Sequence, residues 1–191
     1  YIEALWRVFS QIAKNGYLYK DYKVLPWCPR CETSLSSHEL AQGYKKVKED
    51  SIYVKFQLSS RPTSSSRQLA YFLAWTTTPW TLPGNAALAV NPKARYVTIE
   101  TNGEWLILAK ERLQVTKEEY KIIAEENGEK LLGVEYEPLY KTVGKLAEAS
   151  LAENGKQPAN SSKYVVVGAD FVSTQDGTGV VHIAPAFGAD D

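Results

Sequence analysis

The stretch "LAYFLAWTTTPWTLPGN", residues 69 to 85, limits the possible folds more than any other part of the chain. Its first ten residues are almost all apolar, aromatic or β-branched, which suits a buried strand. Pro79 then removes a ladder donor and disfavours helix just before it, so the strand has to end there. Pro83 and Gly84 turn the chain again. Three hydroxyls, Thr76, Thr77 and Thr78, therefore stand in a row at the abrupt end of a buried strand. On a strand Thr76 and Thr78 point to one face and Thr77 to the other. If that end opens on a pocket, the hydroxyls can orient a polar ligand or a water, because each both donates and accepts. A strand-end turn with surface threonines would use the same residues.

The rest of the chain predicts more short strands: "SIYVKFQL", "AALAV", "ARYVTIE", "EWLILAK", "YVVVGADFVS" and "DGTGVVHIAP". "TNGE" between the third and fourth is a hairpin signal. Residues 3–15 read as a helix with Leu5, Val8, Phe9 and Ile12 on one face and Gly16 as its stop. "VTKEEYKIIAEEN" reads as a second helix, with Thr116 to cap it and Gly128 to end it. Residues 59–68 form a serine-rich loop, and 147–163 a long polar insert. Seven or eight short strands with two helices predict a mostly-β, α+β fold, barrel-like or sandwich-like, with helices at its rim.

The chain has 191 residues, enough for one good-sized core. Its 22 basic and 22 acidic residues balance, so no global field draws it to nucleic acid or to an anionic membrane. No apolar run is long enough to span a bilayer, and no signal-peptide pattern opens the chain. Met is absent throughout, and both ends read as cut from something larger.

Two further motifs carry chemistry. In "DGTGVVHIAPAFGADD", residues 176 to 191, Gly177 and Gly179 permit positive φ and a close backbone approach to a ligand. His182 follows on a strand, and Asp191 lies beyond the break at Gly188. An Asp there could hold an ammonium, and the His could supply a hydrogen bond or a steric wall. A core histidine and a solvated acidic end are the plainer alternative. "CPRCETSLSSHE" places Cys28 and Cys31, the only cysteines, at the spacing of half a tetrahedral zinc site. It reads as half of a zinc ribbon whose other half lies elsewhere; His38 is a candidate third ligand, and a redox pair is the alternative. Two cysteines do not make a disulfide framework, which favours a reducing compartment. There is no local signature of a Ser-His-Asp or Cys-His triad, a P-loop or a Rossmann turn. Any hydrolysis would have to position a water.

"WTTTPWTLPGN", "GTGVVHIAPAFGADD" and "VLPWCPRCETSLSSHEL" together resemble isoleucyl-tRNA synthetases, over about residues 17 to 191. The region resembles their editing domain, the connective polypeptide 1 insertion in the catalytic core; in the valyl and leucyl sisters the threonine motif typically runs Thr-Thr-Arg-Pro. The resemblance implies a linking segment at 1–45, holding the half knuckle, and an editing domain at 46–191. It implies hydrolysis of Val-tRNA(Ile) by a positioned water, with valyl-adenylate as a further candidate substrate. Thr77, Thr78 and Asp191 would be catalytic, Asp191 by pairing with the substrate ammonium. Thr76, Trp80, Asn85, Gly177 and His182 would bind substrate, with Trp80 and His182 setting the size limit. No cofactor is implied for editing, and zinc in a full-length parent would use Cys28 and Cys31. The implied partner is the 3′ end of tRNA(Ile) carrying valine, met by a monomeric chain in the cytoplasm with no membrane. Two other readings account for part of the pattern: a non-catalytic zinc-ribbon module that binds RNA or protein, and an editing domain for another aliphatic amino acid.

Overall fold

A computed structural model describes residues 1–21, 23–59, 68–140 and 164–188. Asp191, the 147–163 insert and most of the 59–68 loop lie outside the described residues. The chain divides into two compact units, Tyr1–Lys45 and Lys46–Asp191.

The first unit opens with helix α1, Ile2–Lys14, whose Asn15 cap and Gly16 (φ 76°) close it through Gly16 N–H to Ala13 O and Tyr17 N–H to Ile12 O. A two-residue hairpin follows: β1, Trp27–Cys28, pairs with β2, Thr33–Ser34. Helix α2, Ser37–Gly43, is one that the sequence reading missed. Its signal is a capping box: Ser36 Oγ accepts from Glu39 N–H, and Glu39 Oε2 accepts from Ser36 N–H.

The second unit is built on two sheets. Five strands stand in the order β3 (Ile52–Gln57), β4 (Ala70–Thr76), β7 (Glu104–Ala109), β6 (Arg95–Thr101), β8 (Lys121–Asn127). β4 and β7 run parallel and the other neighbours antiparallel. Three strands form the second sheet, in the order β10 (Val180–Ile183), β5 (Ala87–Val90), β9 (Val166–Gly168). Among the described residues neither sheet closes into a barrel; the fold is mostly sheet with a few helices.

The apolar run in β4 has a packing reason. Phe72 and Ala74 face a cluster shared with Leu88, Val90, Val166 and Val180 of the smaller sheet. Leu73 faces the other way, into a cluster with Val97, Ile99, Leu106 and Leu108, capped by Leu113 and Val115. A strand covered on both sides reads as continuous hydrophobic sequence. The β6–β7 hairpin turns through Asn102 (φ 48°) and Gly103 (φ 77°), the two positive angles of a type I′ turn.

One expected helix is absent. Residues 121–127 form β8, an edge strand on β6, and Lys110–Val115 ahead of it is a 3-10 helix. Propensity favoured a helix here, but β6 had an open edge. Pairing with it satisfies a ladder of backbone groups and fits the β-branched Ile122 and Ile123. Glu125 on β8 then bridges Lys110 at 2.7 Å and Arg95 at 3.4 Å. Gly128 still ends the element, but because space demands it: a Cβ there would lie 2.1 Å from the Asn91 carbonyl oxygen.

Two buried tyrosines tie the sheets together. Tyr96 Oη donates to Gly179 O at 2.6 Å and accepts from Asn91 N–H at 2.9 Å. Tyr136 stacks edge-on against Phe56 and donates to Asn85 Oδ1 at 2.7 Å. Burial raises both hydroxyls, Tyr96 from 10.0 to about 12. The unfolded chain therefore releases these protons first, so the stability present below pH 10.0 is lost as pH rises towards about 12. Urea unfolding across that window should show stability falling with pH. Tyr96→Phe should flatten the fall by up to about 1.4 kcal/mol per pH unit, the contribution of one proton.

Candidate functional site

Strand β4 ends at Thr76, and Pro79 begins a 3-10 helix, Pro79–Gly84. Between them Thr78 sits at φ −121° and ψ 65°, neither strand nor helix. The turn holds itself through threonine hydroxyls. Thr76 Oγ1 accepts from Thr78 N–H at 3.0 Å and lies 3.3 Å from Thr78 Oγ1. Three residues on, Thr81 places both its N–H (3.0 Å) and its hydroxyl (2.8 Å) on the Thr78 carbonyl. Thr78 and Thr81 meet because residues i and i+3 eclipse on a 3-10 helix.

From the other side comes β10, whose pairing with β5 sets His182 opposite Leu88. His182 is buried, and its Nε2 lies 2.8 Å from Thr81 Oγ1. A threonine hydroxyl has one proton: placed on the Thr78 carbonyl, it leaves Oγ1 to accept from a protonated His182 Nε2, and placed on Nε2, it leaves that carbonyl to Thr81 N–H alone. Either way a hydrogen-bonded chain, His182 Nε2 to Thr81 Oγ1 to Thr78 C=O, joins the two ends of the site.

This chain backs a cavity of about 230 Å³ whose lining includes Trp75, Thr76, Thr78, Val181 and Phe187. Its lining combines threonine hydroxyls with ring and aliphatic carbon. Such a space can orient a polar head while measuring an apolar one. A second cavity of about 170 Å³ adjoins it, with Trp75 and Val181 common to both and the turn at 176–179 on its far side. Gly177 (φ 64°) is packed so closely there that a Cβ would lie 2.9 Å from Trp75 Cε3.

Of the residues expected at the site, Thr76, Thr78 and His182 line the first cavity and Gly177 the second. Thr77, just past the end of β4, lies outside the lining of both cavities. Trp80 is 68% exposed and also lies outside it, so Trp75, five residues earlier, is the tryptophan that forms the wall. Asn85 is held in the frame by Tyr136 Oη and the Ala87 carbonyl, and it borders a different, small cavity. Asp191 lies outside the described residues. The sequence reading missed Thr81, although it sits within the quoted motif at the 3-10 spacing from Thr78.

In the first unit the cysteine knuckle is a separate feature. The backbone N–H groups of Cys31 and Arg30 point at Cys28 Sγ and lower its thiol pKa, while the hydrogen bond with Cys28 raises that of Cys31. Amides aimed at sulfur favour a thiolate, which is the form that binds zinc. The pair fits half of a zinc site. His38 Nε2 is 3.1 Å from Gln42 Nε2, and among the described residues no group of three candidate ligands forms.

The family model described as class I tRNA synthetases (I, L, M and V) matches residues 1–176. The isoleucine–tRNA ligase of Clostridium acetobutylicum is 50% identical over 191 residues, all of this chain and 16% of the relative. Isoleucine–tRNA ligase 2 of Bacillus cereus is 46% identical, over all of this chain and 17% of the relative. The chain thus spans about a sixth of the length of these curated relatives. Among solved structures, the crystal structure of GlLeuRS-CP1 matches with TM-score 0.53 and 20% identity, covering 71% of this chain and 54% of that one. That likeness is one of fold.

The hydrogen-bond chain makes a direct prediction. Thr81→Val keeps the shape but removes the hydroxyl from both His182 Nε2 and the Thr78 carbonyl, at a cost of about 1–3 kcal/mol in urea unfolding. In the starting protein, ¹⁵N chemical shifts of the His182 ring at neutral pH read the direction of the bond: a protonated Nε2 makes His182 the donor, an unprotonated Nε2 makes Thr81 the donor.

Proposed function

The chain belongs to the class I tRNA synthetases (I, L, M and V), and from that premise we propose that it is the editing domain of an isoleucyl member. Its reaction is hydrolysis of the ester in Val-tRNA(Ile), with valyl-adenylate as a further candidate substrate. The observation that carries the reading is the first cavity, where two threonine hydroxyls face a wall fixed by the Thr81–His182 bond.

The physical motive is a limit on binding. One methylene in a pocket is worth only about 1–3 kcal/mol, and isoleucyl-tRNA synthetase is the standard worked case of that limit. A site that accepts isoleucine therefore lets valine through, and a second, smaller site has to remove it. In this reading the 3′-terminal adenosine brings the valyl ester to the end of β4. Thr76 and Thr78 hold the ester and a water through hydroxyls that both donate and accept. The water oxygen attacks the ester carbonyl, and the ribose oxygen leaves with a proton drawn from that water. Trp75, Val181 and the His182 ring form the wall against which the side chain is measured. His182 Nε2 is engaged with the Thr81 hydroxyl at 2.8 Å, so in this reading His182 acts by shape and not as the base for the water. Asp191 takes the substrate ammonium in a charge-assisted contact.

Zinc has no part in this step; Cys28 and Cys31 would supply two thiolates to a structural site in a longer parent. No helix among the described residues is long and apolar enough to cross a membrane. The tRNA partner and the cytoplasm, where charged tRNA is used, belong to the same proposal, as does a monomeric chain.

The test is deacylation of Val-tRNA(Ile) beside Ile-tRNA(Ile). The valyl ester should be lost faster by about tenfold or more, the discrimination one methylene permits. Thr78→Ala should slow that loss by about a hundredfold, the cost of a misplaced reacting group. If neither ester is cleaved, the catalytic reading fails and a binding module, sensitive to Cys28 and Cys31 substitution, stands in its place.

A further inference from the structure

Trp75 and Val181 line both cavities, and of the two it is Trp75 that packs on the glycine turn, so its position bears on the size of the first. Its indole rests on Gly177, close enough that even a methyl there would collide. What holds Gly177 there is not on β4 or β10. Arg112, on the 3-10 helix Lys110–Val115, donates from Nε to the Gly177 carbonyl at 2.8 Å and from Nη1 to the Gln175 carbonyl at 2.6 Å. Its neighbour Glu111 accepts from Thr174 Oγ1 at 2.5 Å. Two adjacent residues thus grip the turn at three successive points, and Ala109 N–H holds the Thr178 carbonyl at 2.8 Å just beyond.

We propose that Arg112 is a positioning residue for the size limit of the site, pressing the 174–177 turn against Trp75 and so setting the wall of the neighbouring cavity. The inference rests on the editing reading for its functional consequence, and on the contacts alone for its mechanical part. A guanidinium suits the task because its planar fork reaches two carbonyls at once, which an ammonium cannot do as rigidly. Without the fork the turn can draw back, Trp75 gains room to follow it, and the cavity on its other side widens. A wider cavity admits one more methylene, so selectivity should suffer more than rate.

Two readouts separate this from a general loss of structure. With Trp6, Trp27, Trp80 and Trp105 replaced by Phe, Trp75 is the remaining one of the five tryptophans, and acrylamide quenching reports its exposure. Arg112→Ala in that background should raise the quenching. In the unaltered background, Arg112→Ala should lower the ratio of valyl to isoleucyl deacylation by about tenfold or more, up to the full discrimination of one methylene, while valyl cleavage persists. Arg112→Lys should fall between, and it carries both readouts should the alanine variant not fold. Unchanged quenching in a folded variant overturns the proposal, and so does an unchanged ratio or an equal loss of both rates. If the starting chain cleaves neither ester, the editing reading alone has failed, and quenching still decides whether Arg112 holds Trp75.

Discussion

A strand covered on both faces cannot run on past a proline, and in this chain that stop falls where two sheets meet. β4 is the strand whose side chains feed both major clusters, so its course is set by packing along its whole length. Pro79 offers no N–H to extend the ladder, and its ring holds the next turn in a helical angle. The chain switches within three residues from extended to 3-10. Hydroxyl and carbonyl groups that a continuing strand would bury in its ladder are turned inward together. Threonine suits this junction because its β-branch favours the strand while its oxygen satisfies the turn, as the Thr76 hydroxyl does for Thr78 N–H.

The second constraint comes from far along the chain. Thr81 and His182 are 101 residues apart, yet they meet because β10 is registered against β5, and β5 follows the 3-10 helix directly. The approach to β10 is tied as firmly. Tyr96 holds the Gly179 carbonyl, and Gly179, at φ 75°, packs where a Cβ would lie 2.4 Å from that of Ala109. The first unit stands apart from this logic. Its cysteine hairpin is shaped by amides pointed at sulfur, a local arrangement that needs nothing from the sheets.

Much of this was legible in the sequence, for reasons that differ by element. β4 was plain because continuous apolar sequence ending at proline has few structural meanings. The β6–β7 hairpin was plain because Asn-Gly names its own turn. Residues 121–127 misled because Lys, Glu and Ala favour helix locally, and the open edge of β6 that captures them is a tertiary fact. The motifs named Thr76, Thr78 and His182, which line the first cavity, and Trp80, which lies outside that lining where Trp75 stands. Strand alternation puts Trp75 opposite Thr76, which argues against both serving one cavity. At the last two residues of β4 the rule fails, and both line the first cavity. Arg112 carried no signal at all, since its partners are backbone carbonyls and a carbonyl has no sequence.

A device that discriminates by one methylene works only if its walls yield less than the methylene demands. Cores packed at crystal-like density meet that standard, and loops rarely do. Here the wall residues Trp75, Val181 and His182 all lie on strands, and the polar residues Thr78 and Thr81 are locked to one another by hydrogen bonds. The weak member of the set is Gly177 behind Trp75, which has no side chain of its own to resist movement. Stiffness at that point has to be imported, and the fork of Arg112 is the nearest rigid source. On the proposed editing reading, a water and an ester can adjust to one another beside the hydroxyls, whereas the Trp75 wall has to hold its place, and what backs the turn beneath it is the Arg112 fork on the Gln175 and Gly177 carbonyls.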